Sequence, residues 1–249
     1  MTNERLRSQV ASAGLTIPDL AERLEVDPKT VERWITKDRL PHRSHRWRAS
    51  EVLQVDEGYL WPEVLDDPRT KSASQAEFVG LYPHRGSIPA DMWTELIDGA
   101  RDSIDVLVYS GLFLIDGQAD LVPRLIAKAE QGARIRLAFG DPDSPAVAQR
   151  GDEEGIGDNM AARVRLSLDA IRPAVASPGI EVRTHGTVLY NSIYRFDEHL
   201  LVNVHAFGSS AAQNPVMHLR RVPGGRLFDH FLQAFDRVWE TGASEPSPC

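Results

Sequence analysis

Cysteine is almost missing from this chain. The single thiol, Cys249, is the last residue, so neither an internal disulfide framework nor a cysteine-based zinc site is open to the fold. No apolar run approaches the roughly 20 residues that cross a bilayer. The opening MTNERLRSQVASAG also lacks the apolar core of a secretory signal. These absences lead to the expectation of a soluble, cytoplasmic protein with no membrane partner. Lysine is scarce beyond the first third: after Lys71 only Lys128 remains. No calcium-loop spacing is present, and a lone Gly155-x-Gly157 is too weak to count as a nucleotide loop, so no metal and no cofactor are expected.

Hydrophobic residues make up 42% of the 249, which supports an ordinary buried core. The net charge of -8 is unevenly spread. The first 50 residues carry ten Lys or Arg against seven Asp or Glu, and the rest carry 18 against 29. A basic module joined to an acidic one is the pattern of a small DNA-binding domain attached to a regulatory or enzymatic domain.

Within LTIPDLAERLEVDPKTVERWI, residues 15–35, Leu20, Ala21 and Leu24 fit one face of a short helix, and Val31 and Trp34 fit a second. Thr16 precedes the first helix. Asp27 and Pro28 open the second as an N-cap and a first-turn proline. The stretch resembles the helix-turn-helix of Xre-type repressors, with Ala21 where the helices cross most closely. Glu25 stands at the turn position that usually carries glycine to take a left-handed conformation. The resemblance makes Pro28 to Lys37 the recognition helix, presenting Lys29, Thr30, Glu32, Arg33 and Lys37. The segment KDRLPHRSHRWR that follows adds Arg39, His42, Arg43 and Arg46 as candidate phosphate contacts around Trp47. Such modules usually bind double-stranded DNA as homodimers on two-fold operators, so a homodimer is implied. Domain boundaries are read as 1–64 for this bundle, 65–75 for a polar linker, 76–242 for a second domain and 243–249 for a flexible tail.

The second domain alternates strands and helices. Residues 104–112 and 133–139 are strand candidates around a helix over 119–131, a βαβ unit with parallel strands. Helices are also expected over 89–101, 159–175 and 227–239, and strands over 180–184 and within LYNSIYRFDEHLLVNV, residues 189–204. The predicted class is therefore α + α/β, an all-α helix-turn-helix bundle followed by an α/β domain. This domain resembles one copy of the phospholipase D-like fold, roughly Glu77 to Thr241. That superfamily's signature is His-x-Lys, four residues, then Asp, on a strand and its turn. In this chain Asp197 stands at the aspartate position, but Tyr190 replaces the histidine and Ser192 the lysine. A register shifted by one residue, through Asn191, Ile193 and Glu198, is no better. Starting at His218 puts Gly225 where the aspartate belongs. The usual phosphodiesterase mechanism is left without its nucleophile and its lysine. The whole string also resembles a group of actinobacterial Xre-type regulators whose C-terminal domain has no assigned function.

A former phosphate site lined by hydroxyl, amide and guanidinium groups suits a small anionic ligand. Its candidate lining is Tyr190, Asn191, Ser192, Tyr194, Arg195, Asp197, His205 and Tyr109. Asp141, Asp143 and Arg150 are added from the acidic loop 140–159, which lies beyond a strand end where α/β sheets bind ligands. The expected protein is a DNA-binding transcriptional regulator whose second domain senses a small molecule or a partner and aids dimerisation. The alternative is a phosphodiester- or nucleotide-processing enzyme with a rearranged site built on His185, His199 or His205.

Overall fold

A computed structural model describes residues 2–37, 39–66, 68–118 and 120–244, and the chain divides into two units, Met1–Ser72 and Ala73–Cys249. The N-terminal unit holds α1 (Glu4–Ser12), α2 (Ile17–Leu24), α3 (Pro28–Thr36), α4 (Arg43–Leu53), α5 (Glu57–Leu60) and α6 (Glu63–Asp66). Helix α7 (Pro68–Ala76) carries the boundary.

Caps fix where α2 and α3 begin. The Asp19 N–H donates to Thr16 Oγ1 at 3.3 Å while the Thr16 N–H donates back to Asp19 Oδ2 at 2.8 Å. Asp27 accepts from the Lys29 N–H at 2.8 Å, with Pro28 in the first turn of α3. Glu25 takes the left-handed conformation that its turn demands, at φ 56 and ψ 42, and its carboxylate accepts from Arg48 on α4 at 2.8 Å. Leu20, Ala21, Leu24, Val31, Trp34 and Ile35 are all buried in one core with Leu6 and Val10 of α1. Asn3 secures α1, accepting from the Leu6 N–H and donating to the Leu60 carbonyl at 2.8 Å.

The C-terminal unit is an eight-stranded sheet with helices on both faces. Its elements are β1 (Phe78–Tyr82), α8 (Ala90–Gly99), β2 (Ser103–Leu107), α9 (Leu112–Gly117), α10 (Leu121–Glu130), β3 (Arg134–Gly140), α11 (Pro145–Glu153), α12 (Asn159–Val175), β4 (Ile180–His185), β5 (Asn191–Phe196), β6 (His199–Val204), β7 (Val216–Arg220), α13 (Leu227–Thr241) and β8 (Ala243–Ser244). The strand order is β1-β7-β6-β5-β2-β3-β4-β8. Strands β2, β3 and β4 run parallel, and β5 lies antiparallel to β2, so the sheet changes sense at β2.

Every residue of β2 is buried, Asp105 completely. Its register partners are Arg136 on β3 and Arg195 on β5, which donate to its two oxygens at 2.6 and 2.8 Å. Arg136 also donates to Asp236 of α13 at 2.8 Å and lies over the rings of Phe235 and Trp239. Helix α13 is thereby fixed to this face. On the opposite face Trp93 of α8 and Phe113 of α9 meet Tyr194 edge-on at 5.1 and 5.6 Å.

Asp197 closes the β5–β6 turn in a left-handed conformation, φ 50. Its carboxylate accepts from the N–H groups of Arg101, Asp102 and Ser103 at 2.7 to 2.9 Å, pinning the turn to the start of β2. Burial alone would raise its pKa. The three N–H donors, with Arg195 nearby, overcome that and hold it below the ordinary carboxylate value.

Three expectations differ from what is found. Residues 68–75 of the expected linker are helical, as part of α7, because Pro68 stands at the first position and no breaker follows in RTKSASQA. The acidic stretch 140–159 is not one loop. Ser144 caps α11 by accepting from the Val147 N–H at 3.3 Å, and α11 fills the middle of the stretch. Of the expected tail, Ala243 and Ser244 pair with Thr184 and Arg183 of β4, and residues 245–249 lie outside the described residues.

Replacing Asp105 by alanine takes from two largely buried guanidinium groups the carboxylate they share and is expected to cost roughly 3–5 kcal/mol, read as a lower urea midpoint with unchanged secondary structure before the transition. Asp197→Asn keeps a residue that tolerates the left-handed turn but loses the charge, for an expected cost of about 1–2 kcal/mol at neutral pH. Because the folded-state pKa is depressed, this contribution is present above the ordinary carboxylate range and is lost as pH falls through the folded value. Variant and parent should therefore converge in acid, and a difference independent of pH would contradict the charge-based account.

Candidate functional site

Helix α3 presents Lys29, Glu32, Arg33 and Lys37 to solvent, with Thr30 half-buried and Val31, Trp34 and Ile35 turned into the core. Arg39, His42 and Arg43 are also exposed. The side chains of Lys29, Arg33, Lys37, Arg39 and Arg43 make no hydrogen bond or ion pair among the described residues. Arg46 does not join them. It is half-buried and donates to Glu57 and to the Pro41 carbonyl, so it braces α4 against α5. His42 caps α4, its Nδ1 lying 2.9 Å from Ser44 Oγ.

In the C-terminal unit the β5–β6 ladder collects a polar cluster on the face that also carries Trp93. Strand alternation puts Ser192 and Tyr194 on this face and Asn191 and Arg195 on the other. His205 pairs with Tyr190, its N–H donating to the Tyr190 carbonyl at 2.9 Å. The His205 ring is held at both nitrogens. Nδ1–H donates to the Leu189 carbonyl at 3.2 Å, which leaves Nε2 to accept from Ser192 Oγ–H at 3.0 Å. Burial above all, with the Arg150 and Arg85 charges, lowers its pKa to about 4, so the ring is neutral at physiological pH. Tyr109 stacks on His205 at 5.8 Å, and its hydroxyl accepts from the Leu189 N–H at 2.8 Å.

The next member was not anticipated. Arg85, in a short 3-10 turn after β1, lies over the Phe113 ring, 3.7 Å from its centroid, and donates to Asn203 Oδ1 at 3.4 Å. Beside it lies the Tyr194 hydroxyl, on a side chain only 1% exposed; burial raises its pKa, and the neighbouring Arg85 and Ser192 side chains oppose that rise. No spacing rule links Arg85 to Ser192 across 107 residues of chain. Arg85 itself comes from PHRG, a sequence that reads as a turn.

The remaining ligand candidates are engaged elsewhere. Arg195 is locked to Asp105 and to the Asp197 carbonyl, and Asp197 to its three N–H donors. Buried Arg150 is compensated by Glu153 and Glu154 and donates to the Ser209 carbonyl at 2.9 Å, tying α11 to the loop after β6. Asp141 accepts from the Asp143 N–H, and exposed Asp143 pairs with Arg165.

Among the other histidines, His185 accepts from the Thr187 N–H and donates to the Val108 carbonyl, and burial lowers its pKa. His199 and His218 share a hydrogen bond of 2.9 Å, and burial pushes His218 down to about 4. Lys128 donates to the Asp98 carbonyl from α10, away from the ladder. A cavity of about 20 Å³ beneath α9 and α10 is lined by apolar side chains such as Ile104 and Leu125, which suits neither an ion nor a polar metabolite. Among the described residues no helix is long and apolar enough to cross a membrane.

Comparison with known proteins assigns both units. Residues 15–55, which span α2 to α4, match a helix-turn-helix domain, and residues 74–224 match a domain of unknown function, DUF5919. No curated protein matches the chain. Solved structures are similar as well, among them the following three. A phospholipase D family member, Nuc from Salmonella typhimurium, is 18% identical, with 68% of this chain and 96% of that one covered and a TM-score of 0.42. TrmBL2, an archaeal chromatin protein whose structure shows a novel mode of DNA binding, is 15% identical, with coverages of 88% and 72% and a TM-score of 0.45. NucT from Helicobacter pylori is 11% identical, with coverages of 67% and 98% and a TM-score of 0.43. With more than half of its length matched by that one model, and a helix-turn-helix domain ahead of it, the chain belongs to the DUF5919 family.

Proposed function

We propose that this protein is a cytoplasmic transcriptional regulator that binds a two-fold operator as a homodimer and senses a small anionic molecule through its C-terminal unit. One observation carries the DNA-binding part. The cations of α3 and the segment after it stand exposed without partners among the described residues, while Arg46 and Arg48 next to them are paired. Unpaired, solvated cations on an exposed helix are what phosphate contacts and counterion release require. Lys29, Lys37, Arg39 and Arg43 suit phosphates, and Thr30, Glu32 and Arg33 suit base edges.

The sensing part is supported by the Ser192, Tyr194, His205 and Arg85 cluster, whose one uncompensated charge is positive. A ligand that changes the separation of two recognition helices needs about 1–2 kcal/mol of coupling to change operator occupancy about fivefold to thirtyfold. A second reading, phosphoester hydrolysis with Ser192 as nucleophile and His205 as base, is favoured by the 3.0 Å bond between them. Turnover that survives loss of the α3 cations and disappears in Ser192→Ala would establish it.

The regulator reading is tested by fluorescence anisotropy on a duplex from the protein's own upstream region, at two salt concentrations, against scrambled DNA. Arg33→Ala is expected to weaken operator binding by roughly 1–3 kcal/mol and to narrow the gap between the two duplexes. Lys29→Ala should weaken both alike and lower the salt dependence by about one phosphate contact. Operator affinity unchanged in Arg33→Ala would remove α3 from the recognition role.

A further inference from the structure

The two most exposed large apolar side chains of the described residues are Phe207, at 87%, and Tyr190, at 79%. Both flank His205. The Tyr190 carbonyl accepts from the His205 N–H, and Phe207 follows His205 by two residues in the turn after β6. Aromatic rings left in water beside a hydrogen-bonding cluster form a platform for another flat ring.

The other end of the cluster requires something different. The guanidinium of Arg85 lies over the Phe113 ring and spends one donor on a long bond to Asn203, so N–H groups remain to it. The adjacent Tyr194 hydroxyl is buried, with Arg85 and Ser192 beside it. This end calls for acceptor oxygens, and its positive charge favours an anion. Between it and the two exposed rings stands the Ser192–His205 pair, whose Ser192 oxygen can still accept from a hydroxyl. Tyr190 lies four residues from Tyr194 along the extended chain, about 13 Å at the rise of a strand. That length exceeds a phosphate and accommodates a phosphate, a sugar and a ring laid along β5.

We propose that this face binds a mononucleotide, with its phosphate at Arg85, its sugar beside Ser192 and His205, and its base against Tyr190 and Phe207. The inference rests on reading the C-terminal unit as a sensor of anions, and it names the chemical class of the signal.

The test is isothermal titration of the full chain with AMP, GMP, CMP and UMP, with ribose 5-phosphate as the baseless probe. At least one nucleotide should bind tenfold or more tightly than ribose 5-phosphate. Tyr190→Ala and Phe207→Ala, both at exposed positions, should erase that advantage. Arg85→Gln should abolish binding of every phosphate-bearing probe. Each variant is checked against the parent's thermal midpoint. Equal affinity for nucleotides and ribose 5-phosphate, still lost in Arg85→Gln, overturns the nucleotide assignment while leaving an anion sensor standing. No binding of any phosphate-bearing probe overturns both. Nucleotide binding that persists in Arg85→Gln and in the aromatic variants places the ligand elsewhere and also overturns the inference.

Discussion

A single carboxylate with no access to water organises the C-terminal sheet. Asp105 sits on the one strand where parallel and antiparallel halves meet, and each of its oxygens takes an arginine from a different half. A buried charge is tolerable only when its partners are fixed and its lone pairs satisfied. Each oxygen therefore specifies a neighbour. Arg136 must come from β3 and Arg195 from β5, and any slip in register turns one of these side chains to the wrong face. Arg136 extends the constraint outward to Asp236 and the aromatic pair of α13, so one row of charges sets strand order and helix placement together.

That arrangement also separates two kinds of polarity. On the Asp105 face the charges neutralise one another and are closed to ligands. On the opposite face Ser192, Tyr194 and His205 stand among aromatics with Arg85, whose guanidinium keeps N–H donors to spare. Nearby, Arg150 carries a charge that looks available in the sequence and is silenced by Glu153 and Glu154 within its own helical turns. Function on this face depends on which cations remain uncompensated rather than on how many lie close by.

Local chemistry was legible and distant compensation was not. Thr16, Asp27 and Pro28 announce α2 and α3 because a cap acts on residues two or three positions away, and the strand–helix–strand rhythm of 104–139 reads from periodicity alone. The left-handed turn at Glu25 was foreseeable from its place between two helices. Arg195 and Asp197, by contrast, look like site residues because they neighbour Ser192. Their actual partners, Asp105 and the N–H groups of residues 101–103, lie 90 or more positions upstream. Arg85 was missed for the converse reason, since it reaches the site only through the folding of β1 beside β7. Helix α11 was hidden by acidic and glycine residues at the two ends of its segment, although Ser144 and Pro145 form a start signal.

Glu77, at the entrance to this unit, receives the N–H groups of Leu227 and Phe228 on its carboxylate and sits so close to Gly225 that any side chain there would collide with it. It is 1% exposed. The first strand is thus anchored by the beginning of the last helix, some 150 residues later. During synthesis the unit cannot bury this carboxylate with its partners until α13 has left the ribosome. The stretch matched by the family model, which stops at residue 224, is therefore shorter than the stretch that must be made before the unit can close.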